Sequence, residues 1–175
     1  MVEKADYRVL KKIEDVEIRQ YPNLLLAIVD NNVDDSGFNL LFRFISGENK
    51  VQKKIPMTAP VITSEKIKMT APVINRDDYM AFVMPSIYNK ENIPLPTNPL
   101  VKIEEQPGSV MAVLRFSGHT TKTRVEKFKK ILIKTLEKNK LTGKGNPILM
   151  RYNSPFAPGF IRRNEIAIEL KNYKI

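Results

Sequence analysis

Apolar and charged positions alternate over Val16-Glu17-Ile18-Arg19, the pattern of a strand with one buried face. Before it, Tyr7–Leu10 reads as a strand that Ile13-Glu14-Asp15 turns. After it, Tyr21-Pro22-Asn23-Leu24 is a turn with Pro and Asn in the favoured central places. Leu24–Val29 follows as a fully apolar strand. The period then changes. Phe38, Leu41, Phe42 and Ile45 fall at i, i+3, i+4 and i+7, which predicts a helix with one core-facing stripe. Asp34 or Asp35 can cap it, and Gly47 can close it in the left-handed conformation. Leu40 and Phe44 form a second apolar stripe, with Arg43 beside it. A surface helix needs only one such face, so the second must cover another layer of protein or a ligand.

The next stretch is written twice. Lys54-Ile55-Pro56-Met57-Thr58-Ala59-Pro60-Val61-Ile62 returns as Lys66-Ile67-Lys68-Met69-Thr70-Ala71-Pro72-Val73-Ile74. The spacer Thr63-Ser64-Glu65 suits a hairpin loop. Pro60 and Pro72 cannot donate ladder hydrogen bonds, so each belongs at an edge or a bulge. Met57 and Met69 take equivalent places, either filling core gaps or lining a pocket. A strand Tyr79–Met84 comes next, then a loop over Asn89–Pro99 that holds Pro94, Pro96 and Pro99.

Beyond that loop the beginning replays. Val101-Lys102-Ile103-Glu104 matches Val16–Arg19, Pro107-Gly108 matches Pro22-Asn23, and Ala112-Val113-Leu114 matches Ala27-Ile28-Val29, all at one constant offset. A second helix arrives where the repeat demands one, with Thr123 and Glu126 as a capping box. Val125, Phe128, Leu132 and Leu136 line its apolar face, with Ile131 beside them, while Lys127, Lys130, Lys134 and Lys138 line another. After Gly143–Pro147 come a strand Ile148–Tyr152, a loop Asn153–Phe160 and a last strand Glu165–Leu170. Alternation there points Ile166, Ile168 and Leu170 inward and Glu165 and Glu169 outward. The order predicts an α+β protein with a mainly antiparallel sheet and two main helices. It reads as one domain over 1–175, with pseudo-repeat halves of about 1–88 and 100–175 joined by a Pro-rich loop. Duplicated halves commonly leave a groove that ligands favour.

Composition narrows the chemistry. With no Cys, disulfides and thiolate metal sites are excluded, which fits a cytoplasmic protein. The N-terminus lacks an apolar signal core, and no apolar run is long enough to span a bilayer. The net charge of +10 admits nucleic acid, an anionic membrane or an acidic ligand, and a solvated lysine face accounts for it as well. The single His119 excludes a multi-histidine metal site. It reads as a loop residue before the second helix. No phosphate loop, paired-carboxylate phrase or nucleophile elbow is visible, so no catalytic residue is nominated.

Several phrases carry a resemblance. The run Phe38–Asn49 with the Met-Thr-Ala-Pro-Val phrase resembles the SOUL family of haem-binding proteins. So do Leu114-Arg115-Phe116-Ser117-Gly118, Tyr152-Asn153-Ser154-Pro155-Phe156 and Arg162-Arg163-Asn164-Glu165. The resemblance implies a distorted, duplicated antiparallel barrel similar to the effector-binding domains of multidrug-responsive regulators. It also implies reversible binding of haem or another tetrapyrrole in an apolar cleft beside the first helix, with haem not required for folding. Leu40, Phe44, Met57, Met69, Phe156 and Phe160 would supply apolar walls. Arg43, Lys54, Arg162 or Arg163 would meet propionates by charge-assisted hydrogen bonds. The family's proposed iron-ligating His lies near the first helix, and this chain has none there; the functional alternative for His119 is an axial ligand or a propionate partner. The expectation is therefore a flat apolar carboxylate ligand bound without obligatory axial ligation. The alternatives are a salt-sensitive nucleic-acid or acidic-protein binder acting through the lysine stripe, and a hydrolase.

Overall fold

The alternating and apolar runs become strands. The computed structural model describes residues 3–31, 36–51, 64–153 and 157–174. Along the chain run β1 (Glu3–Lys4), β2 (Arg8–Ile13), β3 (Val16–Tyr21), β4 (Leu24–Asp30), helix α1 (Gly37–Ser46), β5 (Asn49–Lys50), β6 (Thr70–Ala71) and β7 (Val73–Asn75). Then come β8 (Tyr79–Val83), β9 (Leu95–Pro96), β10 (Lys102–Gln106), β11 (Ser109–Ser117) and helix α2 (Lys122–Lys138). β12 (Gly143–Arg151), a 3-10 turn (Gly159–Ile161) and β13 (Arg163–Leu170) complete the chain. The protein is α+β, with antiparallel main strands and two main helices, as the pattern predicts. Among the described residues no helix is long and apolar enough to cross a membrane.

The chain forms two compact units. The first comprises Met1–Ala5, Leu24–Ala71 and Asp77–Gln106. In it β4 lies between β10 and β8, antiparallel to both, and α1 packs on β4 and β8. Both faces of β4 are covered, since Leu26, Ala27, Ile28 and Val29 are all buried. β5 pairs with β9 and β1 with β6. The second unit comprises Asp6–Asn23, Pro72–Arg76 and Pro107–Ile175. Its strands run β7-β12-β13-β11-β3-β2, all antiparallel. Helix α2 packs on β11, β12 and β13. There Leu132 and Leu136 meet Val16, Ile18, Leu114, Phe116, Ile166 and Ile168 in one apolar core.

The strand pairing follows the offset seen in the sequence. Neither β3 and β4 nor β10 and β11 form a hairpin, although each pair is joined by a two-residue corner. β3 pairs with β11, placing Ile18 opposite Ala112, and β10 pairs with β4, placing Ile103 opposite Ala27. Shifting one register by the repeat offset reproduces the other.

Two expectations change. The N-cap of α2 is Thr121, whose hydroxyl accepts from the Arg124 backbone N–H at 3.4 Å. Thr123 and Glu126 are thus inside the helix, and Glu126 pairs with Lys129 at 3.0 Å instead. The second copy of the repeated phrase bonds to β1 and β12 through its short strands β6 and β7, with Pro72 interrupting them. The first copy, the spacer's Thr63, and the cap candidates Asp34 and Asp35 lie outside the described residues. Finally, Glu165 does not point to solvent but is fully buried, at 0% exposure.

Candidate functional site

Helix α1 has the predicted period in a different phase. Its buried residues are Leu40, Leu41, Phe44 and Ile45. Leu40 and Phe44, expected to wall an open cleft, are thus core, with Phe44 only 1% exposed. Phe42, expected in the core, is 49% exposed. It lies nearly parallel to Phe38, with ring centroids 6.2 Å apart and planes 9° apart. Phe38 in turn sets its edge against buried Phe82 at 5.4 Å. The helix therefore presents an aromatic platform that its own core anchors. Arg43, the next residue, is exposed and pairs with Glu48 at 2.6 Å.

The end of α1 is tightly built. Gly47 has φ +124, open to glycine at little cost. Its N–H bonds the Phe44 carbonyl and the Glu48 N–H bonds the Arg43 carbonyl, the Schellman pattern. Buried Asn49 donates to the Phe44 and Glu65 carbonyls, both at 2.8 Å, and accepts from the Glu65 N–H at 2.9 Å. The Ile67 N–H bonds the Ile45 carbonyl at 2.8 Å. The segment leading to Met69 is thereby fastened to the helix end.

A second assembly surrounds His119 in the other unit. The cleft there, about 640 Å³, is lined by Gly118, His119, Thr121, Thr123, Arg124, Lys127, Gly159 and Phe160. Arg162 Nη1 lies 3.4 Å from His119 Nδ1. A guanidinium has no acceptor, so Nδ1 is the acceptor and, in the neutral ring, Nε2 carries the hydrogen. Metal-ligating imidazoles have the opposite arrangement, donating from the second nitrogen to a carbonyl or carboxylate. Nε2 also abuts Gly159, where an added Cβ would lie 2.5 Å from it. Among the described residues no group of His, Asp or Glu is arranged to hold a metal ion.

The third assembly is buried. Arg19 Nη1 and Nη2 donate to the two Glu165 oxygens at 2.9 and 3.1 Å. Arg163 Nη2 donates to Oε1 at 2.6 Å and the Tyr152 hydroxyl donates to Oε2 at 2.7 Å. Arg19 also bonds Glu17 and covers the Tyr7 ring at 4.1 Å, and Arg163 covers the Tyr152 ring at 4.3 Å. Burial alone pushes the Glu165 carboxyl up, but the bonds and charge of Arg19, with Tyr152 and Arg163, outweigh it and hold it below the ordinary carboxylate range. Burial, then the Glu165 charge, pushes Tyr152 up, so its hydroxyl remains a donor. With its acceptor positions filled and its charges balanced, this cluster is structural.

The family model "SOUL heme-binding protein" matches residues 2–169. The chain belongs to this family. No curated protein matches it. Among solved structures, the EcmrR C-terminal domain aligns with TM-score 0.57 and 11% identity, covering 95% of this chain and 99% of that one. The likeness agrees with the α+β fold class expected from the sequence. A hydrolase from Listeria innocua aligns with TM-score 0.53 and 11% identity, covering 93% of this chain and 94% of that one. At such identity the likeness concerns the fold alone.

The residues nominated from the sequence of this SOUL-family chain separate into groups. Leu40, Arg43, Phe44 and half-buried Met69 fall in the first unit. Phe160, Arg162 and His119 meet around the cleft of the second. Arg163 is held by Glu165 and the Tyr7 hydroxyl, so its guanidinium is engaged inside the fold. Lys54, Met57 and Phe156 lie outside the described residues. Sequence reading missed Phe42 as the presented aromatic, Asn49 as the staple, and the Arg19–Glu165 pair. Glu165 sits in the polar phase of an alternating strand, and that signal points outward.

Proposed function

We propose that the protein binds haem or a related tetrapyrrole on the outer face of α1, without obligatory iron ligation. Membership of the SOUL family supports the ligand class. The observation that carries the site is Phe42, a half-exposed ring lying parallel to Phe38 on a helix whose core face is already complete. Such a platform suits a flat π-system, since aromatic rings prefer offset stacking. Arg43 can exchange its exposed Glu48 partner for a ligand carboxylate, because exposed ion pairs contribute only about 0–1 kcal/mol. The residues fit the ring and its propionates. The one imidazole of the chain is not placed to ligate iron there, since Nδ1 of His119 faces a cation and Nε2 faces Gly159.

Parallel titrations with haem and iron-free protoporphyrin test this reading. Affinities should agree within about tenfold, a gap of about 1.4 kcal/mol. Phe42→Ala and Arg43→Ala should each weaken both ligands alike, while His119→Ala leaves the bound-haem spectrum unchanged. Loss of that spectrum in His119→Ala, with protoporphyrin binding intact, would make His119 the iron ligand and sink the proposal. So would unaltered binding in Phe42→Ala.

A further inference from the structure

We propose that the second unit carries a separate binding cleft for a planar aromatic carboxylate, between the 3-10 turn and the start of α2. The cleft, about 640 Å³, falls within the usual size of small-molecule sites. Three segments build it, and glycine lets them approach. Gly159 lies against the His119 ring, where a side chain would collide. Gly118, at φ +102, lies against the Arg124 guanidinium, with an added Cβ 3.3 Å from Nη2. The Asn164 side chain fixes the Gly118 carbonyl at 2.9 Å, and Arg162 holds His119 from behind while bonding the Ala157 carbonyl at 2.7 Å. The walls are mostly apolar, and Phe160 stands at the rim 82% exposed.

The charge is one-sided. Arg124 and Lys127 line the cleft, and neither Asp nor Glu does. Arg124 donates from Nη2 to the Ser117 carbonyl at 2.8 Å, one use among five guanidinium donors. The Thr121 hydroxyl accepts from the Arg124 backbone N–H and retains its own hydrogen. These groups favour a carboxylate, which accepts charge-assisted hydrogen bonds. The exposed phenyl of Phe160 favours a ring beside it. A ligand joining the two features, one aromatic ring system with one carboxylate, matches the cleft. This inference does not rest on tetrapyrrole binding at α1.

The test is a residue-resolved amide NMR titration with 2-naphthoate. Saturable shifts are expected at Gly118, His119, Lys127, Gly159 and Phe160. Neutral 2-naphthamide should bind at least about tenfold more weakly. Phe160→Ala should weaken naphthoate about tenfold and Lys127→Gln about threefold, with the charged contribution falling as salt rises. Both side chains are exposed, so both variants should retain the wild-type fold, which circular dichroism checks. Equal binding of the acid and the amide, or indifference to Phe160→Ala, would overturn the proposal. Shifts confined to Phe42 and Arg43 would overturn it too, since naphthoate would then be using α1. Binding of the cleft to anionic vesicles with no naphthoate response would replace the small ligand with a lipid surface.

Discussion

His119, the lone imidazole, invites a functional reading, yet its nitrogens face Arg162 and Gly159. Glu165 resembles an outward strand residue and is buried against two arginines and a tyrosine. Because its folded pKa is held below the unfolded value of about 4.3, the carboxylate contributes stability that is fully present above that value. The contribution is lost as pH falls through the depressed folded pKa. Glu165→Gln should cost about 3–5 kcal/mol at neutral pH, because buried Arg19 loses its main countercharge. Denaturant melts at pH 7 and below pH 4 should show the wild type losing this advantage in acid while the variant changes less. A variant as stable as wild type at pH 7 would show that the cluster contributes nothing net.

At the scale of elements, α1 shows how a right period can have a wrong phase. With Phe38, Leu40, Leu41, Phe42, Phe44 and Ile45 in ten residues, several apolar stripes are available, and the partner layer chooses. β4 and β8 take the stripe through Leu40, Leu41, Phe44 and Ile45. Phe44→Ala should therefore cost about 3–5 kcal/mol, as buried Phe truncations do. Phe42→Ala should cost less than about 1 kcal/mol, since its ring is already half in water. Equilibrium unfolding of the two variants checks the order. Equal losses would mean that Phe42 is covered, removing the platform on which tetrapyrrole binding is proposed. In α2, by contrast, the expected face holds, except that Ile131 beside it is exposed. Leu132 and Leu136 are buried, and Lys127, Lys130, Lys134 and Lys138 are exposed, with Lys138 bonded to Glu14 at 2.6 Å.

On the scale of the whole molecule, neither two-residue corner closes a hairpin, and β3 pairs with β11 while β10 pairs with β4. Each repeat contributes to both compact units, because the corners at Pro22-Asn23 and Pro107-Gly108 coincide with the unit boundaries. The Gly108 N–H bonds the Asn23 side-chain oxygen at 2.8 Å, and an added Cβ at Gly108 would lie 2.9 Å from the Tyr21 carbonyl oxygen. Gly108→Ala should thus destabilise by about 1–3 kcal/mol, the range for overpacking. Asn23→Ala removes one hydrogen bond and should cost about 0.5–1.5 kcal/mol. Thermal melts of both variants test the corner, and a neutral Gly108→Ala would show that the two chain segments part easily.

The helix and strand periods, the antiparallel α+β class, the constant repeat offset and the glycine close of α1 were legible in the amino-acid order alone. These are local properties of backbone and pattern, and each is legible within a few residues. The family was legible too, through phrases distributed along the chain. Only tertiary structure decided which stripe of α1 faces inward, which strands pair across the repeats, and that Glu165 is buried. Alternation separates two faces of a strand but cannot say that both are covered, and a polar residue enters the interior only when distant partners satisfy it. Arg19, Tyr152 and Arg163 do so for Glu165. The cleft beside His119 arose the same way, from glycines far apart in sequence that let side chains meet in space.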